Sequence, residues 1–154
     1  NGGASMNWSN IQSTQVGVAA QGVAIGTGKG NTAAIIAQSG HTSSAAKICR
    51  EYRGGGYSDW FLPSKDELEI MCWNLRGKRN PHLNPLWVTN DNPDVPNVAG
   101  GGVGGLLYTL AGSGYWSSSE ISSGYSWYQQ FDNGWLEDNA PKNSTVWVRA
   151  IRAF

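Results

Sequence analysis

The sequence is poor in charge, in cysteine and in histidine, and it has no long apolar run. Charged residues make up 14% of its 154 positions, and eleven basic side chains offset eleven acidic ones. A balance of zero argues against a binder that tracks nucleic-acid phosphates, which normally shows a basic excess. It also excludes an acidic disordered tail. No apolar run approaches the ~20 residues of a bilayer-spanning helix. The two histidines, His41 and His82, and the two cysteines, Cys49 and Cys72, lack the C-x-x-C or H-x-x-x-H spacing of a structural zinc site. No nucleophile-elbow motif supports a Ser-His-Asp set. Cys49 and Cys72 both fall in segments that read as helical; two free buried thiols is the simpler expectation, and one disulfide the alternative. The first residue is Asn, with no Met and no signal peptide, so the chain reads as a fragment, a processed product or a domain of a longer protein, and 1–6 reads as a loop.

Two motifs imitate sites. Gly26-Thr27-Gly28-Lys29-Gly30 has the glycines of a phosphate loop, but Lys29 is followed by Gly and not Ser or Thr, so a loop leading into a helix is the expectation. Asn90, Asn92 and Asp94 place oxygens at alternate positions, as a calcium loop does, without the bidentate Glu. Ca²⁺ there is the one cofactor the sequence suggests, and an Asx/Pro turn set is the simpler reading. Lys47, Arg50 and Arg53, with Arg76, Lys78 and Arg79, would make a patch for sulfated glycans if the two groups met.

What is abundant is Gly (21), Trp (8) and apolar residues (40%), enough for one core of ordinary domain size. Val16 to Ile25 reads as a short strand. Asn31 reads as the cap of a helix from Thr32 to about Gln38, and a second helix spans Ser43 to Tyr52 with Ala46, Cys49 and Tyr52 on its inner face. The strongest local signal is Ser64-Lys65-Asp66-Glu67 after Pro63. It is a capping box opening a helix from about Lys65 to Arg76, with Leu68, Met71, Cys72 and Leu75 buried and Gly77 beyond its end. Residues 80–105 carry Pro81, Pro85, Pro93 and Pro96 and read as a long irregular excursion, followed by a short strand near Leu106 to Leu110. Period-2 patterns follow at 115–120, 126–131 and 146–154, with Asp132-Asn133-Gly134 as a hairpin turn. Helices first and antiparallel strands last define an α+β domain.

The stretch 120–147 is dense in Trp, Tyr, Asn and Ser, the composition of a binding surface. By alternation, Trp127 and Phe131 face the core while Tyr128, Gln130 and Asp132 face out. A binding module is favoured over an enzyme.

Gly55-Gly56-Tyr57-Ser58-Asp59-Trp60-Phe61-Leu62-Pro63-Ser64-Lys65-Asp66-Glu67-Leu68 resembles the D-W-x-L-P-[ST]-x-x-E-L signature of the collagen-like-adhesin C-terminal (Lcl C-terminal) domain family. Tyr115-Trp116-Ser117-Ser118-Ser119-Glu120, then Trp127, Phe131, Gly134, Lys142 and the ending Val148-Arg149-Ala150-Ile151-Arg152-Ala153-Phe154, are similar to its second half. The resemblance runs from about Asn7 to Phe154 and implies a single C-type-lectin-like domain over 1–154. That fold has two main helices packed on a small antiparallel sheet, with long irregular loops. It further implies a surface adhesin or display protein of bacteria or of a phage tail, and for many members a variable protein of a diversity-generating retroelement. Under that reading 121–147 is the variable region. Its ligand-facing residues are Ile121, Gly124, Tyr125, Tyr128, Gln130, Asp132, Trp135, Leu136, Glu137, Asp138, Asn139, Ala140, Pro141, Asn143, Ser144 and Trp147. Trp60, Trp116, Trp127, Arg149 and Arg152 are then framework. The partner would be a protein or cell-surface ligand, no nucleic acid, with a homotrimer as the assembly some members form. The alternative is a non-diversified adhesin that binds sulfated glycans through the basic patch. The formylglycine-generating group shows that lectin-like folds also house cysteine chemistry, but both cysteines here lie on expected helices.

Overall fold

A computed structural model describes residues 4–76, 114–130 and 136–153. In chain order these hold β1 (Ser5–Met6), α1 (Gly28–Ala37), α2 (Ala45–Glu51), α3 (Lys65–Arg76), β2 (Gly114–Glu120), β3 (Tyr125–Gln130), β4 (Leu136–Pro141) and β5 (Val146–Trp147), with single 3₁₀ turns at Val18–Ala20 and Gly54–Gly56. The domain is α+β, as its pattern of helices first and strands last requires. Three α-helices accompany the sheet among the described residues, as the residue patterns predict, where the resemblance implies two main ones.

The strands form one sheet in the order β1-β5-β2-β3-β4. The expectation of an antiparallel sheet needs correction: β5 runs parallel to β2, with Tyr115 opposite Trp147, so the sheet is mixed. Two further expectations fail in the same region. Ser5–Met6 is not loop but an edge strand paired with Val146–Trp147. The segment 146–154 is not one strand. It leaves the sheet after Trp147 and returns only as a bridge from Ile151 to Phe61.

Tyr115 and Trp116 explain why β2 is buried along its length. Consecutive strand residues point to opposite faces. Tyr115 joins Leu68 and Cys72 of α3, with Met71 and Trp147 packed against them. Trp116 joins Trp8, Ile35, Ala46, Cys49 and Leu62 in the larger cluster. Each face of the central strand is therefore covered, and hydrophobic burial acts on both sides of it.

Period-2 reading fails at Trp127 for a local reason. Trp116 pairs with Tyr128 and Glu120 with Ser126, so Ser117, Ser118 and Ser119 all stand opposite Trp127. On the other side Ser126 pairs with Ala140 and Tyr128 with Glu137, so that ladder slips at the same residue. A bulge resets which face each residue takes. Ser126 and Gln129 are the buried residues of β3, whereas Trp127 is half-buried with the Lys65 ammonium 5.3 Å from its ring centroid. The bulged backbone finds partners outside the ladder. Ser118 N donates to Pro63 O at 2.7 Å, Ser119 N to Ser117 Oγ at 2.9 Å, and Ser126 Oγ to Ser119 O at 2.7 Å. Small hydroxyl side chains can sit fully buried here because they satisfy these groups.

The capping box forms as the sequence requires. Ser64 N donates to Glu67 Oε2 at 2.7 Å and Glu67 N to Ser64 Oγ at 3.4 Å. Ser44 caps α2 by accepting from Lys47 N at 3.0 Å. α1 starts earlier than expected, at Gly28, with Thr27 at its N-cap. Asn31 is not a cap: its amide donates to Gly22 O at 2.6 Å from inside the helix. The stretch 16–25 is not a strand: it turns as a 3₁₀ helix at Val18–Ala20, and Val16 N and Gly17 N donate to the Glu120 carboxylate instead of to a neighbouring strand. Tyr52 is half-exposed at the end of α2 and lies off its buried face.

Candidate functional site

Two carboxylates, the buried Glu120 and the half-buried Glu67, organise the loops around the sheet. Glu120, at the end of β2, accepts from Val16 N (2.8 Å) and Lys142 Nζ (2.6 Å) on Oε1 and from Gly17 N (2.8 Å) on Oε2. Lys142 also lies 4.7 Å from the Trp8 ring centroid, and its backbone carbonyl accepts from Trp8 N. Lys142 N donates to Gly124 O at 2.8 Å. One ion pair thus ties together the N-terminal loop, the 121–124 loop and the 142–145 turn. Glu67 plays a similar part for the next loop, its second oxygen accepting from Gly26 N at 2.8 Å.

The candidate variable residues do not form one continuous group. Ile121, Gly124, Tyr125, Asn143 and Ser144 gather at one end of the β3–β4 hairpin. Ile121 N and Ser122 N both donate to Tyr125 O, and Tyr125 is in register with Pro141. Gln130 lies at the far end of β3, where Gln129 is in register with Leu136. At about 3.3 Å per residue, Tyr125 and Gln130 are ~17 Å apart along the strand. Asp132 and Trp135 fall outside the described residues. So do the side chains of Leu136, Glu137, Asp138 and Asn139, whose backbone forms β4. The sequence reading missed that strand because its polar composition resembles a loop.

Exposure separates the candidates further. Tyr125 is 44% exposed, and Asn143 is exposed. Tyr128 is half-buried against the larger cluster, edge-on to Trp116 at 6.2 Å, with its hydroxyl accepting from Gln130 Nε2. Trp147 is half-buried in the α3 cluster. Ala140 is buried in the core. A polar cleft of about 450 Å³ adjoins the 142–145 turn, lined in part by Ser5, Asn7, Asn10, Gln12, Ser43 and Thr145.

The alternative patch is only half described. On α2, Lys47 Nζ donates to Thr42 O and faces Glu51 at 3.9 Å, while Arg53 Nη1 donates to Arg50 O and Tyr52 O. The Arg76 side chain, Lys78 and Arg79 fall outside the described residues, as do Asn90, Asn92 and Asp94. Among the described residues no group of three His, Cys, Asp or Glu is placed to hold a metal ion. Cys49 and Cys72 are buried and not joined in a disulfide, in clusters on opposite sides of the sheet, and burial pushes the Cys49 thiol pKa up. His41 sits 2.8 Å from Ser44 Oγ, and burial, with Lys47 nearby, lowers its pKa.

The two ends of the family-like pattern meet in space. Arg152 grips Asp59 through Nε (3.0 Å) and Nη2 (3.3 Å), and Phe61 and Ile151 exchange backbone bonds at 2.9 and 3.0 Å. The Arg152 hydrogen bond to Asp59 holds that carboxyl below its ordinary pKa. Trp116 is buried in the larger cluster, Trp60 is half-buried, and Arg152 is tied to Asp59.

A mixed five-stranded sheet accompanied by short helices defines an α+β domain. The chain belongs to the Lcl C-terminal domain family, whose model matches residues 3–152. A comparison with curated proteins gave no match. Among the described residues no helix is long and apolar enough to cross a membrane.

Proposed function

We propose that this chain is a non-enzymatic ligand-binding domain with a C-type-lectin-like fold, acting as a variable protein of a diversity-generating retroelement. It would sit on a bacterial surface, be secreted, or form part of a phage tail. The carrying observation is a repeated adjacency. Glu120, Ser126 and Lys142 are buried, and each is followed or preceded directly by a more accessible candidate: Ile121, Tyr125 and Asn143. Surface residues placed this way can change while the polar anchors beneath them stay put. Tyr125 supplies contact area at low entropy cost, and Asn143 and Ser144 supply adaptable hydrogen bonds. The ligand is a protein or cell-surface receptor, met first by the 121–125 and 143–144 group.

Sequencing the locus tests this. The reading requires a near-identical template repeat, differing at adenines over codons 121–147, beside a reverse transcriptase. A complete locus without that pair refutes diversification and leaves a fixed adhesin. The rival ligand is a sulfated glycan bound through Lys47, Arg50, Arg53, Arg76, Lys78 and Arg79. Salt-sensitive retention on heparin, lost on neutralising Arg50 and Arg53, would favour it. The local bonds of Lys47 and Arg53 weigh against it.

A further inference from the structure

We propose that Tyr52, Tyr57 and Trp60 form a second ligand site, a stacking platform for an uncharged sugar ring. The site shares no residue with the 121–147 stretch and stands independently of the diversified-display reading.

Tyr52 and Tyr57 are 51% and 48% exposed, among the most exposed large side chains described, yet both rings are held in place. Tyr52 meets Trp60 edge-on, with centroids 5.0 Å apart at 72°. It also lies directly on Gly54, where any Cβ would overlap its ring. Tyr57 lies against Gly55, whose φ of 67° suits glycine, and the Arg152 guanidinium sits 3.6 Å from the Tyr57 centroid. Arg152 is fixed in turn by its two bonds to Asp59. Gly54 and Gly55 thus bring backbone, and no side chain of their own, against the two rings. Rings ordered before a ligand arrives lose little freedom on binding.

A second observation points to a missing acceptor. Trp60 Nε1 is buried and finds no hydrogen-bond acceptor among the described residues. Buried donors are nearly always paired, so an unpaired one calls for an explanation. A ligand oxygen reaching past the edge of Tyr52 would supply the acceptor.

The remaining chemistry selects the ligand class. Arg152 is paired with Asp59, and Arg53 is bonded to the carbonyls of Arg50 and Tyr52. The platform therefore offers ring surface and phenol hydroxyls, with the Trp60 indole N–H buried beneath. Electron-rich faces attract the C–H side of a sugar ring, and the polar groups meet its hydroxyls. Nucleobases would also stack, but single-strand binders add a basic groove for the backbone, and this chain has no net charge to build one.

Affinity electrophoresis of the chain through gels containing hydroxyethyl cellulose, galactomannan or yeast mannan tests the site, with a heparin gel alongside. The expected result is retardation in at least one neutral gel, weakened at least tenfold in Tyr52→Ser/Tyr57→Ser and unchanged in Val18→Ser, at an exposed position outside both sites. Circular dichroism confirms that the double variant is folded; if it is not, Tyr57→Ser alone is used, and it must also weaken retardation. In the parent, the Trp60 indole N–H resonance should shift when the retarding polysaccharide is added as a soluble oligosaccharide. Retardation in no neutral gel, in heparin alone, or equally in the Tyr variant overturns the proposal.

Discussion

Glu120 and Lys142 form a 2.6 Å ion pair in which neither side chain has any exposed surface. Two backbone N–H groups complete the Glu120 carboxylate, and the Trp8 ring faces the ammonium. A buried pair of this kind is no guarantee of net stability, but it is costly to break from one side. Replacing Lys142 alone with Met strands a carboxylate and should destabilise the domain by about 3–5 kcal/mol. Urea unfolding of Lys142→Met, Glu120→Gln and the double variant measures this. A loss below ~1 kcal/mol in Lys142→Met would show that the loops do not depend on the pair.

Two glycines in one helix should respond in opposite directions. A Cβ at Gly28 would stand 2.7 Å from Ser64 N and 2.9 Å from Leu62 O, both backbone atoms, and would also overlap Glu67 Oε2. A Cβ at Gly30 meets nothing within 4 Å. Gly28→Ala should destabilise, because backbone cannot step aside as a side chain can. Gly30→Ala should stabilise by roughly 0.5–1 kcal/mol, the cost of glycine inside a helix. Thermal melts of the two variants decide the point by the sign of each shift.

The Asp59–Arg152 pair should leave a mark in the pH dependence. Arg152 lowers the pKa of Asp59 in the folded state. Its stabilising effect is therefore fully present above the unfolded carboxylate value, about 3.9, and is lost as pH falls through the lower folded value. The stability gap between the parent and Asp59→Asn should stay constant near neutrality and close only in acid. A gap that closes between pH 5 and 7 would assign the effect to another group.

Both thiols should be silent in the native protein. Cys49 and Cys72 are buried and unbridged, and the raised Cys49 pKa disfavours the reactive thiolate. A colorimetric thiol reagent should titrate no cysteine before urea and two after it, with no need for reductant. Prompt native reaction would place a cysteine at the surface.

The candidate face should tolerate change where its anchors do not. Tyr125→Ala and Asn143→Ala should move stability by no more than about 0.5 kcal/mol. Ser126→Val should cost considerably more, because it leaves Ser119 O without the hydroxyl that donates to it. Comparable losses in all three would mean that the exposed residues are themselves framework.

Local chemistry was legible wherever the deciding groups lie within one turn of each other. The capping box of Ser64 and Glu67, the span Lys65–Arg76 and the α+β order all follow from near-neighbour spacing and backbone hydrogen-bond needs. The burial of Leu68 and Cys72 follows from helical period in the same way. The long motifs identified the family for a related reason: runs such as 59–68 and 115–120 serve contacts that few other residues could make.

What the chain order could not reveal was decided across long separations. The polar run Leu136–Pro141 became a strand because β3 offered it a ladder, not because of its own propensity. Three serines opposite Trp127 broke the simple in-and-out alternation of β3, leaving Trp127 and Tyr128 both half-buried, since a bulge is a property of two strands together. Tertiary structure also placed Lys142 beneath Glu120, joined Asp59 to Arg152, and divided the residues of 121–147 between the two ends of a hairpin. Burial and strand register are collective, so the sequence by itself determined the family and the helices, while only the folded sheet decided which surface residues stand together.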